Sequence, residues 1–340
     1  MSSAGSSTTP SPALVLDTLH AYQRSGALRA AIELDLFTAI AEGNTSAKTI
    51  ATRIGASQKG TRVLCDYLTV IGFLNKHDND YSLTEVPAAF LNRHSPGYVG
   101  SISKFLGDVK GTGAFTDIAA IVRKGGTVMG EEGMERAENP VWVEFARSMV
   151  PLSRIPAQLI ADLLGAKDGG KWKVLDIAAG HGNFGIAIAR NNPNAEVVAV
   201  DWPAVLEVAR ENAQKAGVAD RFRKIAGSAF EVDFESGYDI VLITNFLHHF
   251  DIATNTELLR KVHAAMAPGG RSVTVEFIPN EDRVSPAMDA TFSLMMLGAT
   301  ASGDAAGANG DLGEEHEHAH SGFDGDLPVG EPHPSVPAAD

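Results

Sequence analysis

The sequence predicts an α/β protein, a doubly wound parallel sheet preceded by an all-helical module that ends in a small wing. Three observations carry this. In the second half, strand-like runs ("KVLDIAAG", "EVVAVD", "FRKIAGSAF", "YDIVLITNFL", "RSVTVEFI") alternate with helical stretches such as "PAVLEVARENAQKAG" and "NTELLRKVHAAMA". The first half has the three- and four-residue spacing of helices, followed by a polar turn cluster, "NKHDNDYSLTE". Between the halves, the glycines Gly180, Gly182 and Gly185 close the first strand of the sheet onto a helix.

Each element has a local justification. Residues 1–11 are polar and read as disordered. A helix covers "ALVLDTLHAYQRSGALRAAIELDLFTAIAEG" and stops at Gly43; "TSAKTIATRIG" is a second, with a Thr or Ser cap and Gly55 behind it; "SQKGTRVLCDYLTVIGFL" is a third, capped by Ser57. With the following hairpin they make a winged-helix module over 12–100. Residues 101–165 read as connecting helices, including "VWVEFARSMVPLSRIPAQLIADLL". The sheet unit spans 166–304, with its ligand crevice at the carboxyl ends of the strands. Residues 305–340 lack both periodicities and read as a disordered tail, in which "HEHAH" is a flexible polar tract rather than a metal site.

The bulk numbers narrow the class. A chain of 340 residues, 44% hydrophobic and 21% charged, holds enough apolar material for about two domains. Its net charge of −14 disfavours nucleic-acid and anionic-membrane partners, which require a positive surface. No Lys or Arg follows Arg283, and nine acids lie in residues 304–340, so the tail supplies most of the imbalance. The third helix carries Lys59, Arg62 and Asp66 without a dense basic face, which weighs the wing against DNA binding. Cys65 is the sole cysteine, which excludes an intrachain disulfide. The start has no secretory signal and no apolar run approaches the ~20 residues of a membrane span. The expected location is the cytoplasm.

The glycine spelling alone fits a dinucleotide site as well as other nucleoside sites. Asp176, inside the strand before the loop, suits an ammonium better than a pyrophosphate, whose charge it would repel. Asp201 ends the next strand, where a carboxylate accepts hydrogen bonds from two ribose hydroxyls; NAD and S-adenosylmethionine both carry that ribose. Ser228 and Ala229, after another strand, are small enough to border an adenine edge, and Trp202 either packs on the adenine face or belongs to the core. "NFLHHFD" ends the fourth strand; its adjacent histidines are expected to point apart, with at most one facing the crevice. Glu276 sits among apolar residues in the fifth strand, and a buried carboxylate needs a partner such as a histidine on the adjacent strand.

Over about residues 14–304 these segments, with "AAIELDLFTAI", "LCDYLTVIGFL", "VAVDWP", "MAPGGRSVTVEFI" and "FSLMMLGATASGD", resemble the two-domain S-adenosylmethionine-dependent small-molecule O-methyltransferases of the plant caffeate and flavonoid and bacterial hydroxyneurosporene and polyketide type. The resemblance implies a Rossmann-like methyltransferase domain behind a winged-helix dimerisation domain. It implies S-adenosylmethionine as cofactor, no metal, and a homodimer acting on a hydroxyl of a small aromatic or polyene molecule. Gly180 and Gly182 would pass the methionine part, Asp201 would hold the ribose, and Ser228 with Ala229 would border the adenine. His248 matches the catalytic base and Glu276 the carboxylate that orients it. Phe145, Met149 and Met296 match substrate-pocket positions.

The chain departs from the family in four places. An acid often stands at position 228, and plant members have an acid where His249 stands. A second acid near the base has no aligned counterpart, Asp304 being only nearby. Relatives continue past "SGDA" with a helix and two more strands, so about five strands rather than seven are expected, with the strand around 272–278 as an exposed edge. Two alternatives follow: a non-catalytic or damaged cofactor-binding homologue, and an NAD-dependent oxidoreductase favoured only by the glycine spelling.

Overall fold

Apolar residues at a spacing of two build the sheet, and those at three and four build the helices that cover it. The computed structural model describes residues 10–107, 115, 117–130, 133–136 and 138–304. The tail expected to be disordered, with its HEHAH segment, and the first nine residues lie outside the described residues.

The N-terminal part runs α1 (Ala13–Glu33), α2 (Leu36–Ala41), α3 (Ala47–Ile54), α4 (Gln58–Val70), β1 (Leu74–His77), β2 (Asp80–Leu83) and α5 (Glu85–Phe90). The single helix expected up to Gly43 is two. Asp35 takes a left-handed conformation, φ 59°, and its carboxylate is held by Arg93 at 2.8 Å and Arg53 at 3.2 Å. Ser46 and Ser57 cap α3 and α4 by accepting Thr49 and Gly60 N–H groups at 3.2 and 3.1 Å. β1 and β2 form the expected antiparallel wing. Asp66 on α4 binds Lys76, Arg62 and the Tyr81 hydroxyl at 2.6, 2.7 and 2.6 Å, tying the wing down. Ala31, Phe37, Ile50, Cys65, Leu68 and Tyr81 fill this core, and burial pushes the Cys65 thiol up to about 12.

The connector comprises α6 (Ser103–Leu106), α7 (Ile118–Lys124) and the long α8 (Val141–Leu163). The sheet unit follows as β3 (Lys173–Ile177), α9 (Asn183–Asn191), β4 (Glu196–Asp201), α10 (Pro203–Lys215), β5 (Phe222–Ala226), β6 (Tyr238–Thr244), α11 (Ile252–Ala265), β7 (Met266–Val275) and α12 (Ala287–Ala299). The five strands are parallel in the order β5-β4-β3-β6-β7. Alternate residues serve opposite faces. Val174, Val197, Ala199, Ile240 and Leu242 pack with α8, α9 and α10; Leu175, Ile177, Val198, Val200 and Ile243 pack with α11. Strand order reverses between β3 and β6, and that switch point opens the crevice.

The strand expected at 272–278 starts earlier and ends sooner. Pairing with β6 continues back to Met266 through a register shift at Tyr238/Ile240. Gly269, at φ 77°, and Gly270 permit this; a Cβ on Gly270 would lie 2.7 Å from the Tyr238 carbonyl oxygen. β7 is a partly exposed edge strand of the sheet, β5 being the other edge among the described residues. No helix among them is long and apolar enough to cross a membrane.

Gly185 shows how closely α9 approaches the sheet: a Cβ there would lie 2.7 Å from Val197 Cγ1 and 2.9 Å from Asp176 Oδ2. Replacement Gly185→Ala should therefore destabilise the protein by about 1–3 kcal/mol, read as a lowered melting temperature. An unchanged melting temperature would contradict this packing.

Candidate active site

Two clusters lie at the carboxyl ends of the central strands. The first is built on β3, β4 and β5. After Ile177 the chain turns through Ala178, Gly180 and Gly182, all at positive φ (52°, 55° and 75°). A Cβ on Gly180 would meet nothing closer than the Ala178 carbonyl oxygen at 3.9 Å, so this loop faces open space. Asp201, at the tip of β4, organises the surroundings. Its Oδ2 accepts the Gly180 N–H at 2.8 Å, its Oδ1 the Trp202 N–H at 2.7 Å, and its carbonyl the Gly227 N–H at 3.0 Å. The loops after β3 and β5 are thus fastened to one residue. Each carboxylate oxygen keeps a lone pair for a further donor. Burial pushes the Asp201 carboxyl up to about 6.

Asp176 is fully buried beneath the loop. Its Oδ2 accepts the Gly185 N–H at 3.1 Å, Oδ1 is sealed with no hydrogen bond, and burial pushes the group up to about 7. It stands behind the glycine loop rather than open to the crevice. Ser228 accepts the Phe230 N–H at 3.3 Å, and Ala229 is buried beside it. Trp202 packs on Ala146, Val205 and Val208 and caps the start of α10. His181, which the sequence analysis did not single out, is buried within the glycine loop. Its Nδ1 accepts the Asn183 N–H at 3.1 Å, and burial lowers it to about 4, so it is neutral.

The second cluster joins β6 to β7. β6 ends at Thr244, Asn245 reverses the chain at φ 54°, and a short 3₁₀ turn runs Leu247–His249. Glu276 follows β7 directly. Its Oε1 accepts the N–H groups of Phe246 and Leu247, both at 2.8 Å, and its Oε2 pairs with Nδ1 of His248. The Glu276 side chain is 0% exposed and that of His248 4%. The histidine–carboxylate pair anticipated from the sequence is therefore formed.

The expectation that the two histidines point apart is corrected. They sit on the 3₁₀ turn, not on a strand, and their rings are neighbours with centroids 4.5 Å apart. His249 Nδ1 lies 3.6 Å from Oε1 of Glu135, and the Trp142 ring meets His249 edge-on at 5.4 Å. Phe292 meets His248 edge-on at 4.9 Å and stacks on Phe277 at 4.1 Å. Phe145 touches Trp142 at 5.8 Å and Phe105 at 5.0 Å, and so joins this aromatic wall. Met149 is half-buried one turn further along α8, and Met296 is buried on α12, the helix that carries Phe292. Glu135, Trp142, Phe277 and Phe292 were missed by sequence reasoning. Among the described residues, no group of three His, Cys, Asp or Glu side chains is arranged to hold a metal ion.

The comparisons with known proteins fall on the same segments. The O-methyltransferase dimerisation domain family matches residues 16–93, and a methyltransferase domain family matches residues 174–270. A Nostoc punctiforme protein assigned provisionally to the O-methyltransferases is 51% identical, with 88% of this chain and 89% of that one covered at a TM-score of 0.83. The chain belongs to the S-adenosylmethionine-dependent O-methyltransferases. The methyltransferase is also 28% identical over 308 residues, 86% of each chain, to 3-hydroxy-5-methyl-1-naphthoate 3-O-methyltransferase of Streptomyces sahachiroi. It is 25% identical to PigF, a protein also matched from Serratia sp., whose structure with S-adenosylhomocysteine covers 88% of this chain and 91% of that one at a TM-score of 0.75. The oxidoreductase alternative is thereby set aside.

The residues present fit the cofactor. The open glycine turn admits close backbone approach, and the spare lone pairs of Asp201 suit two hydroxyls. Because Asp201 titrates near 6, its carboxylate form is present above that pH and lost as pH falls through it. S-adenosylmethionine affinity measured by calorimetry should therefore weaken as pH drops below about 6. Asp201→Asn should weaken binding at pH 8 by about 1.5–3 kcal/mol and flatten the pH dependence. A variant as tight and as pH-sensitive as the wild type would contradict this role.

Proposed function

We propose that the methyltransferase moves a methyl group to a hydroxyl of a small planar aromatic molecule, with neutral His248 as general base. The observation that carries this is the sealed pairing of His248 Nδ1 with Glu276 beneath an aromatic wall. The sulfonium of S-adenosylmethionine supplies an electrophilic methyl group when bound. The chain's residues hold the acceptor in line and remove its proton. Glu276 fixes the proton on Nδ1, which leaves the Nε2 lone pair to accept the hydroxyl proton. An unperturbed phenol has a pKa of about 10 and is scarcely ionised near neutrality, so a positioned base contributes roughly 10²–10⁴ in rate. Fixed alignment of the reacting atoms contributes several kcal/mol more. Glu276 stabilises the imidazolium that forms.

The aromatic rings of Trp142, Phe145, Phe277 and Phe292 favour a flat acceptor. The Streptomyces sahachiroi relative, named for a hydroxylated naphthoate, points the same way. In this reading Gly180 and Gly182 pass the methionine part of the cofactor, Asp201 holds its ribose, Ser228 and Ala229 border its adenine, and Met149 and Met296 line the acceptor pocket. The division of labour is 12–100 for pairing two copies, 101–165 for the acceptor and 166–304 for the cofactor. Leu14, Val15, Leu16, Leu19 and Tyr22 on α1 are at least half exposed, and the dimerisation match covers most of that helix. A second copy of the chain covers this face in the proposed homodimer.

His248→Ala should lower methyl transfer to phenolic acceptors by about 10²-fold or more while S-adenosylmethionine binding by calorimetry stays within about threefold; undiminished methylation would reject the assignment. Light scattering at micromolar concentration should give a dimer, and Leu16→Glu with Leu19→Glu should give a folded monomer. A monomeric wild type would reject the interface.

A further inference from the structure

Glu276 holds the turn after β6 by its N–H groups; the carbonyls of that turn are held by a residue of α11, Asn255. Its Nδ2 donates to the Leu247 carbonyl at 2.9 Å and to the Phe250 carbonyl at 3.3 Å, so one amide spans the turn that carries His248. The side chain is buried, and its Oδ1 is sealed from solvent with no hydrogen-bond partner among the described residues. A sealed oxygen without a donor is unfavourable. The opposite orientation of the amide would set that oxygen against two carbonyl oxygens, so the carbonyls fix which way it points. What Asn255 supplies is a pair of N–H donors aimed at the turn.

α11 does not need that amide to stay in place. Asp251 caps the helix by accepting the Thr254 N–H at 2.8 Å, and Leu258, Val262 and Ala265 are buried against β3 and β6. The Leu247 carbonyl also keeps the Phe250 N–H at 3.1 Å. Loss of Asn255 thus removes a tether on the turn and leaves the helix packed.

The tether bears on one peptide unit in particular. The Leu247 carbonyl and the His248 N–H share a plane. The Leu247 N–H belongs to the preceding plane, and Glu276 holds it. Two successive planes before His248 are fixed in this way, one by the residue that follows β7 and one from α11, and together they set the direction in which the imidazole leaves the chain. We propose that Asn255 is a positioning residue for methyl transfer: by holding the Leu247–His248 peptide plane it keeps Nδ1 of His248 on Glu276 and Nε2 directed at the acceptor hydroxyl. This rests on the reading of His248 as base. Asn255 acts through His248 alone and touches neither of the reacting molecules.

The test uses the full-length protein, saturated with S-adenosylhomocysteine for nitrogen-15 NMR of the histidine rings and supplied with S-adenosylmethionine and 2-naphthol for turnover. In the wild type His248 should show one tautomer, protonated at Nδ1; in Asn255→Leu, close in volume but without a donor, it should show both. In that variant kcat should fall about tenfold or more, while S-adenosylhomocysteine affinity stays within about twofold. Once His248 is alanine, adding Asn255→Leu should cost less than about twofold further, because a residue that acts through the imidazole has nothing left to act on. The same tautomer populations in both proteins, or an equal loss of kcat in the wild-type and His248→Ala backgrounds, overturns the proposal. So does failure of both Asn255→Leu and Asn255→Ala to fold, read from melting temperatures, which would make the residue a structural one. The underlying reading fails separately, if the wild type does not methylate 2-naphthol or if His248→Ala methylates it as fast; the tautomer comparison then still decides what Asn255 does.

Discussion

Glu276 is the residue on which the proposed catalytic geometry hangs. A carboxylate sealed from water is costly unless its charge is met by donors. Here three converge on it: the N–H groups of Phe246 and Leu247 on one oxygen and Nδ1 of His248 on the other. The same contacts that stabilise the carboxylate hold the turn after β6 in shape and leave one tautomer for His248, the proposed base. Glu276 reaches that turn because β6 and β7 pair in register up to Thr244 and Val275, and because the Asn245 N–H donates to the Val275 carbonyl at 2.7 Å. The proposed base therefore depends on β7, an edge strand of the sheet with a neighbour on one side only among the described residues.

The cluster on β3, β4 and β5 follows the same plan with a different carboxylate. Asp201 clamps the loops after β3 and β5 through backbone donors, much as Glu276 clamps the turn after β6. The two clusters flank the switch point between β3 and β6, and in the proposed function the methyl donor is held on one side of it and the acceptor on the other. Aromatic rings from α8, α12 and the segment after β7 gather beside the histidine turn. Those elements come from distant parts of the chain, and the sheet is what brings them together.

Much of this was legible in the sequence. The strand–glycine–helix pattern at 174–190, the carboxylate ending β4 and the apolar surroundings of Glu276 are local signals, and each led to the right element. What escaped has physical reasons. Glu135 precedes His249 by more than a hundred residues, and no periodicity links a carboxylate in one loop to an imidazole in another. Trp142 and Phe292 read as ordinary apolar positions of amphipathic helices; only tertiary packing turns them toward the histidines. The histidines were expected to diverge because strand alternation was extended past Thr244, where Asn245 had already ended it. Asp35 broke the first helix through arginines from two other segments, a constraint invisible to helical spacing.

The central claim is that Glu276 fixes the proton of His248 on Nδ1 and leaves Nε2 bare for the acceptor. Nitrogen-15 NMR of histidine-labelled protein at neutral pH, with His248 assigned by substitution, reads that tautomer directly. The account predicts a protonated Nδ1 and an Nε2 with the shift of an unprotonated ring nitrogen, and a mixture of tautomers in Glu276→Gln. A His248 protonated at Nε2 with Nδ1 bare in the wild-type protein would contradict it.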